Sequence, residues 1–129
     1  MVKWEDKYSL GVESIDEQHK ELFRIANRIY ELLKNEMILD KYDHIMEIID
    51  ELKNYTVDHF KDEEEYMKSI GYKKFLSHKV AHTDFLDKMG NIDVNKIDNG
   101  HNEYLLSILD FVCVWLIEHI MKEDKLIVA

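Results

Sequence analysis

Of the seven histidines in this 129-residue chain, His19, His59, His78, His82 and His119 stand where a helical repeat also calls for apolar side chains. His59 and Glu63 are four residues apart, as are His78 and His82. On an α-helix that step leaves two side chains about 40° apart on one face, so each pair can aim two donors at one point. His119 is followed four and five residues later by Glu123 and Asp124. Regular helical geometry favours Glu123, because a five-residue step rotates about 140° away unless the helix is distorted or ending. Periodicity alone leaves that choice open. One histidine on an apolar face is more often a hydrogen-bonded core residue than a ligand, and a lone pair arises easily by chance. Five imidazoles with at least one carboxylate exceed an ordinary hydrogen-bond network in a dry core, and a metal centre satisfies them all. Histidine and carboxylate suit non-haem iron, although zinc accepts the same ligands.

These donors need helices of the right length and direction. Ser14-Ile15-Asp16-Glu17 has the form of a capping box, which predicts a helix start after a short arm reaching to about Glu13. Its apolar face runs through His19, Leu22, Phe23, Ala26, Ile29, Tyr30 and Leu33. A second helix is expected over Lys41 to Ile70, with Ile45, Ile48, Leu52, Tyr55, His59, Glu63, Met67 and Ile70 on one stripe and Gly71 as its stop. The third carries Phe75, His78, His82, Phe85, Leu86 and Met89, and then gives way to a turn-rich loop from Gly90 to Gly100. The fourth begins near Asn102 and continues through Leu105, Ile108, Val112, Leu116 and His119. The expectation is an all-α, up-down-up-down four-helix bundle with a short N-terminal arm, one domain over residues 1–129. In such a bundle His19 lies roughly 8 Å from the start of its helix, Glu63 and His59 roughly 10 to 17 Å from the end of theirs, and His78 and His82 roughly 9 to 15 Å into the third. With His119 near the end of the fourth, all five histidines meet in one layer. His44 and His101 fall near the opposite ends of the second and fourth helices and read as surface residues.

Composition agrees with a helical domain: 46% hydrophobic and 34% charged residues, four glycines and no proline are poor material for tight sheet turns. A formal net charge of −10 argues against nucleic acid and against an anionic membrane surface. Cys113 is the only cysteine, so no intramolecular disulfide can form, and it reads as a small buried filler. The charged N-terminus lacks the apolar stretch of a signal peptide, and no unbroken apolar run approaches ~18 residues. A cytoplasmic protein is expected. Asp16 reads as a first-turn acid favoured by the helix dipole, with a supporting role behind a ligand as the second option. The run Asp62-Glu63-Glu64-Glu65 reads as a solvated face, with Glu63 its inward exception.

The residues also resemble a known family. Trp4-Glu5-Asp6, Gly11-Val12, Ile15-Asp16-Glu17-Gln18-His19, His59-Phe60-Lys61-Asp62-Glu63-Glu64, His78-Lys79-Val80-Ala81-His82 and Trp115-Leu116-Ile117-Glu118-His119 are similar to hemerythrin motifs, and His119 to Asp124 has the family's His-x-x-x-x-Asp spacing. In length and layout the chain resembles the single-domain bacteriohemerythrins. The resemblance implies that Asp124 is the second bridging carboxylate. It implies His78, His82 and His119 on one iron, His19 and His59 on the other, and Glu63 and Asp124 bridging both together with an oxo or hydroxo group. The first iron (Fe2+/Fe3+) is then saturated and the second keeps one open position, where dioxygen binds reversibly for storage, delivery or scavenging. Trp115 and Leu116, four and three residues before His119, lie one helical turn from it; both suit core packing, and the resemblance adds that they line the oxygen pocket. No catalytic residue is expected. The competing readings are a di-iron enzyme acting on peroxide or nitric oxide, supplied by a redox donor protein, and an oxygen or iron sensor.

Overall fold

The computed structural model describes residues 2–35, 37, 40–100 and 102–129. Its long helices are α1 (Glu13–Lys34), α2 (Lys41–Ser69), α3 (Phe75–Gly90) and α5 (Asn102–His119), with a short α4 (Val94–Asp98) between the last two. A π-helical turn, Ile120–Asp124, joins α5 to a final turn α6 (Lys125–Ile127), and no strand occurs among the described residues. The start of α1 meets the ends of α2 and α5 and the start of α3, since His19 faces Glu63 and Asp124, and Glu63 also faces His78. At the other end Tyr30 bonds Asp110 and Tyr42 bonds Asn102. The long helices therefore alternate in direction, as expected.

Their apolar stripes meet in one core built from Leu22, Ile25 and Ile29 of α1, Ile45 and Leu52 of α2, Phe85 and Met89 of α3, and Leu105, Leu109, Val112 and Leu116 of α5. Burial of each such side chain stabilises the fold by about 1.5–3 kcal/mol. Asn102–Ile127 also includes a window of mean hydropathy 1.7, long and apolar enough to cross a bilayer by length and composition, which a count of unbroken apolar residues misses. Here its inner face supplies the core.

Three local expectations are corrected. The capping box does not form: α1 starts at Glu13 with Val12 as its uncapped N-cap, and Ser14 is already helical. Asp16 stands in the first turn of α1, as expected, and also turns its carboxylate to the arm, accepting the Leu10 amide at 2.8 Å and the Ser9 hydroxyl at 2.5 Å. It thus acts as an anchor for the arm, which is held further along by paired bonds between Val2 and Asn27 and by Trp4 and Tyr8 against Phe23. The stripe of α2 ends at Met67, and Ile70 is 48% exposed. It sits in the chain reversal where Gly71 (φ +65) lets Tyr72 donate to the Met67 carbonyl at 2.9 Å. The loop after α3 contains α4, whose first amides at Asn95 and Lys96 are capped by the Asp93 side chain and whose Ile97 is buried. A five-residue helix with one inward side chain is too short to show a period.

Candidate metal centre

Seven buried side chains converge where α1 begins and α2 and α5 end. His19 comes from the second turn of α1, His59 and Glu63 from the last third of α2, His78 and His82 from the first turns of α3, and His119 from the end of α5. Asp124 arrives by way of the π turn. An extra residue in that turn brings a five-residue step back to the face His119 occupies, so Asp124 is 0% exposed while Glu123 faces solvent. The choice left open by periodicity falls to Asp124.

The distances sort these residues into two groups. Oε1 of Glu63 lies 2.9 Å from Nε2 of His78 and 3.1 Å from Nε2 of His82. Oδ1 of Asp124 lies 3.0 Å from Nε2 of both His78 and His119. On the other side, Oε2 of Glu63 is 3.5 Å from Nε2 of His19 and 3.3 Å from Nε2 of His59, and Oδ2 of Asp124 is 3.2 Å from Nε2 of His19. Each carboxylate thus points one oxygen at the three-histidine group and the other at the two-histidine group.

Hydrogen bonding alone does not account for this packing. Nε2 of His119 is 3.0 Å from Nε2 of both His78 and His82; neutral imidazoles that also serve two carboxylates cannot supply a proton to every such contact, and protonated ones would turn N–H groups against one another. Both Nδ1 and Nε2 of His19, Nδ1 of His78, Oε2 of Glu63 and both oxygens of Asp124 are buried with no hydrogen-bond partner of acceptable geometry. Unpartnered carboxylate oxygens in a dry core are costly, and cations between the two groups would satisfy them. Nitrogen and oxygen donors within 4.8 Å of one another fit metal ions on both sides. Without metal, the two carboxylates draw positive charge as protons on the imidazoles, which a metal ion would displace. Burial works against a charged His19, His78 or His119, but Asp124 and Glu63 outweigh it and push each up to about 9. Burial raises Glu63 and Asp124, and the surrounding imidazoles overcome it, holding Glu63 well below the usual carboxylate range and lowering Asp124. His59 is lowered, chiefly by burial.

Around the donors stand residues that the sequence did not single out. Nδ1–H of His59 donates to Oε1 of Gln18 at 2.7 Å, and Nδ1–H of His82 donates to Oε2 of Glu64 at 2.9 Å. Phe60 stacks on His82 with centroids 3.8 Å apart. Each of the three is the chain neighbour of a donor and lies in a segment that carries the family resemblance, but its spacing gives it no role of its own. Glu64 is half-buried, correcting its reading as part of a solvated face. Trp115 stacks on His119 at 4.4 Å and on Phe85 at 4.0 Å, beside the three-histidine group, and lines a cleft of about 190 Å³ with Ala81 and Lys122. Leu116 is buried in the core. His44 is exposed beside Asp40, away from the cluster, while His101 lies outside the described residues. Cys113 is buried, and burial pushes its thiol up to about 11.

The model of the hemerythrin HHE cation binding domain matches residues 10–129. The chain is 48% identical over 125 residues to a bacteriohemerythrin of Clostridium acetobutylicum, covering 97% of each. It is 25% identical over 121 residues to myohemerythrin-1 of Phascolopsis gouldii, covering 94% of this chain and 87% of that one. A crystal structure of wild-type hemerythrin superposes with a TM-score of 0.81 at 28% identity, covering 100% of this chain and 99% of that one.

Proposed function

Because the chain belongs to the hemerythrin family, we propose that it holds two iron ions through His19, His59, Glu63, His78, His82, His119 and Asp124 and binds dioxygen reversibly. The observation that carries this reading is the unequal division of donors across two shared carboxylates. Three imidazoles and two carboxylate oxygens surround one position; two imidazoles and a Glu63 oxygen surround the other, with an Asp124 oxygen 3.2 Å from His19 at its edge. The second set is one donor short of the first, which leaves room for a small ligand on the His19 and His59 side. Held by these seven residues, an iron pair would supply two electrons and a place for a small ligand.

The protein's own part is to orient the donors and keep water and acids away. Hydrogen bonds to Gln18 and Glu64 place the protons of His59 and His82 on Nδ1, leaving Nε2 free to ligate. Leu22, Phe60, Leu116 and Ile120, each adjacent to a donor or one helical turn from it, are buried and apolar. Among the described residues the other buried side chains with a polar group are Asp16, Thr56, the Tyr8 hydroxyl, which donates to Glu5, and the Cys113 thiol, pushed up to about 11. Asp16 is engaged by the arm, and Thr56 donates to the Leu52 carbonyl. With no spare acid in the core to cleave an oxygen–oxygen bond, binding is favoured over turnover.

The test is metal analysis together with absorption spectra through cycles of oxygen and argon. Two irons per chain and a spectrum that returns over several cycles are expected. One iron, a stoichiometric zinc load, or a spectrum that bleaches once under oxygen and stays so would overturn the reading.

A further inference from the structure

Two of the five imidazoles have their outer nitrogen held by another side chain, and the two partners differ in charge. The partner of His82 is the Glu64 carboxylate, at 2.9 Å. The partner of His59 is the Gln18 amide, at 2.7 Å. That amide is oriented by Asp62, whose Oδ2 accepts from Nε2 of Gln18 at 2.8 Å, so only Oε1 is left for His59. The three-histidine group therefore has an anionic acceptor directly behind one ligand. The two-histidine group has a neutral one, with the nearest charge in that chain of bonds held a residue further out. Phe60, 2% exposed and stacked on His82, keeps water from the face of the imidazole between Glu64 and the cluster.

We propose that Glu64 is a positioning residue that acts through His82 to favour the higher oxidation state at the three-histidine position, while Gln18 leaves the two-histidine position the weaker-donor side on which a small ligand binds. The inference rests on the di-iron reading above. A carboxylate accepting the Nδ1 proton draws it partly away, and Nε2 becomes a stronger donor. In a water-poor site the same negative charge stabilises the extra positive charge of ferric over ferrous iron. The redox step is one electron per iron, taken by dioxygen in function or by ferricyanide in a titration. The Nδ1 proton stays shared between His82 and Glu64, so no proton leaves this pair.

The test compares the iron-loaded parent with Glu64→Gln and Gln18→Glu by spectroelectrochemical titration, and follows Co2+ binding to metal-free Glu64→Ala and Glu64→Gln. The amide of Glu64→Gln keeps the hydrogen bond and removes the charge. It should retain two irons and shift the midpoint potential to a more positive value, while Gln18→Glu shifts it to a more negative one. Glu64→Ala should weaken Co2+ binding roughly 10- to 100-fold, and Glu64→Gln should restore most of that loss. A Glu64→Gln midpoint equal to the parent's, with two irons present, would overturn the inference and leave the di-iron reading intact. Loss of iron from Glu64→Gln would also count against it. A parent that takes up no iron would overturn both.

Discussion

At one end of the bundle, where Tyr30 meets Asp110 and Tyr42 meets Asn102, the interior is hydrocarbon: Ile25, Ile29, Ile45 and Leu105. At the other, where His19 meets Asp124, the same inward positions carry imidazoles and carboxylates. Except for the π turn that delivers Asp124, both ends follow one helical repeat, so most of the contrast lies in side-chain chemistry. The apolar end is stable in itself. Stability of the other end depends on charge balance, because Glu63 and Asp124 are fully buried with oxygens that only cations would satisfy.

The contrast breaks most sharply at Glu63. Replacing it by alanine removes an oxygen from both groups, so iron content should fall from two per chain toward none, as read by metal analysis of the purified variant; intact loading would show that Glu63 is not a ligand. Leu116, buried in the core and three residues before His119, probes the region between the ends. Leu116→Ala should cost ~2–5 kcal/mol in denaturant unfolding. It should also keep both irons and shorten the lifetime of the oxygenated spectrum, because the opened wall admits water and anions. Equal lifetimes in folded parent and variant would reduce Leu116 to packing alone.

A smaller and conditional effect is expected from pH. In metal-free protein His19, His78 and His119 are raised from 6.5 to about 9. Their contribution is fully present below pH 6.5 and is lost as pH rises through about 9. Glu63 and Asp124 are lowered, so theirs is present above the ordinary carboxylate range and is lost on acidification. The melting temperature of metal-free protein should therefore fall between pH 6.5 and 9, whereas iron-loaded protein, whose imidazoles cannot take up protons, should show no such fall. Parallel curves would remove the charge-balance account. The smallest effect is expected at exposed His44, whose replacement by alanine should leave iron content unchanged and stability within about 0.5 kcal/mol.

The sequence made the regular parts legible. Stripes at spacings of three and four gave the long helices and five histidines in one layer, because amphipathic periodicity and burial are the same physical demand. What it left open depends on departures from that period or on neighbours across the bundle. Asp124 required a turn one residue wider than an α-helix, for which Ile120-Met121-Lys122-Glu123 carries no marker. Gln18 and Glu64 are polar residues one step round from a donor, indistinguishable by spacing from solvated side chains until another helix packs beside them. The apparent capping box at Ser14 failed because the helix begins earlier: the Asp16 amide donates to the Val12 carbonyl at 2.9 Å, which puts Ser14 inside the first turn.

The wide turn after His119 also acts as a phase shift on everything that follows. In an uninterrupted helix Leu126, seven residues after His119, would return to nearly the same angle and point inward, and Ile127 would stand about 100° further round. With one residue absorbed in the turn the two exchange places: Leu126 is 43% exposed and Ile127 only 5%. The last apolar contact of the chain is thus set by the same offset that turns Asp124 toward the histidines. A one-residue deletion inside the turn would keep both inward. It would bring the aspartate to the four-residue spacing of a regular helix and the isoleucine to the seven-residue one, so wide turn and regular helix are two spellings of one inward face.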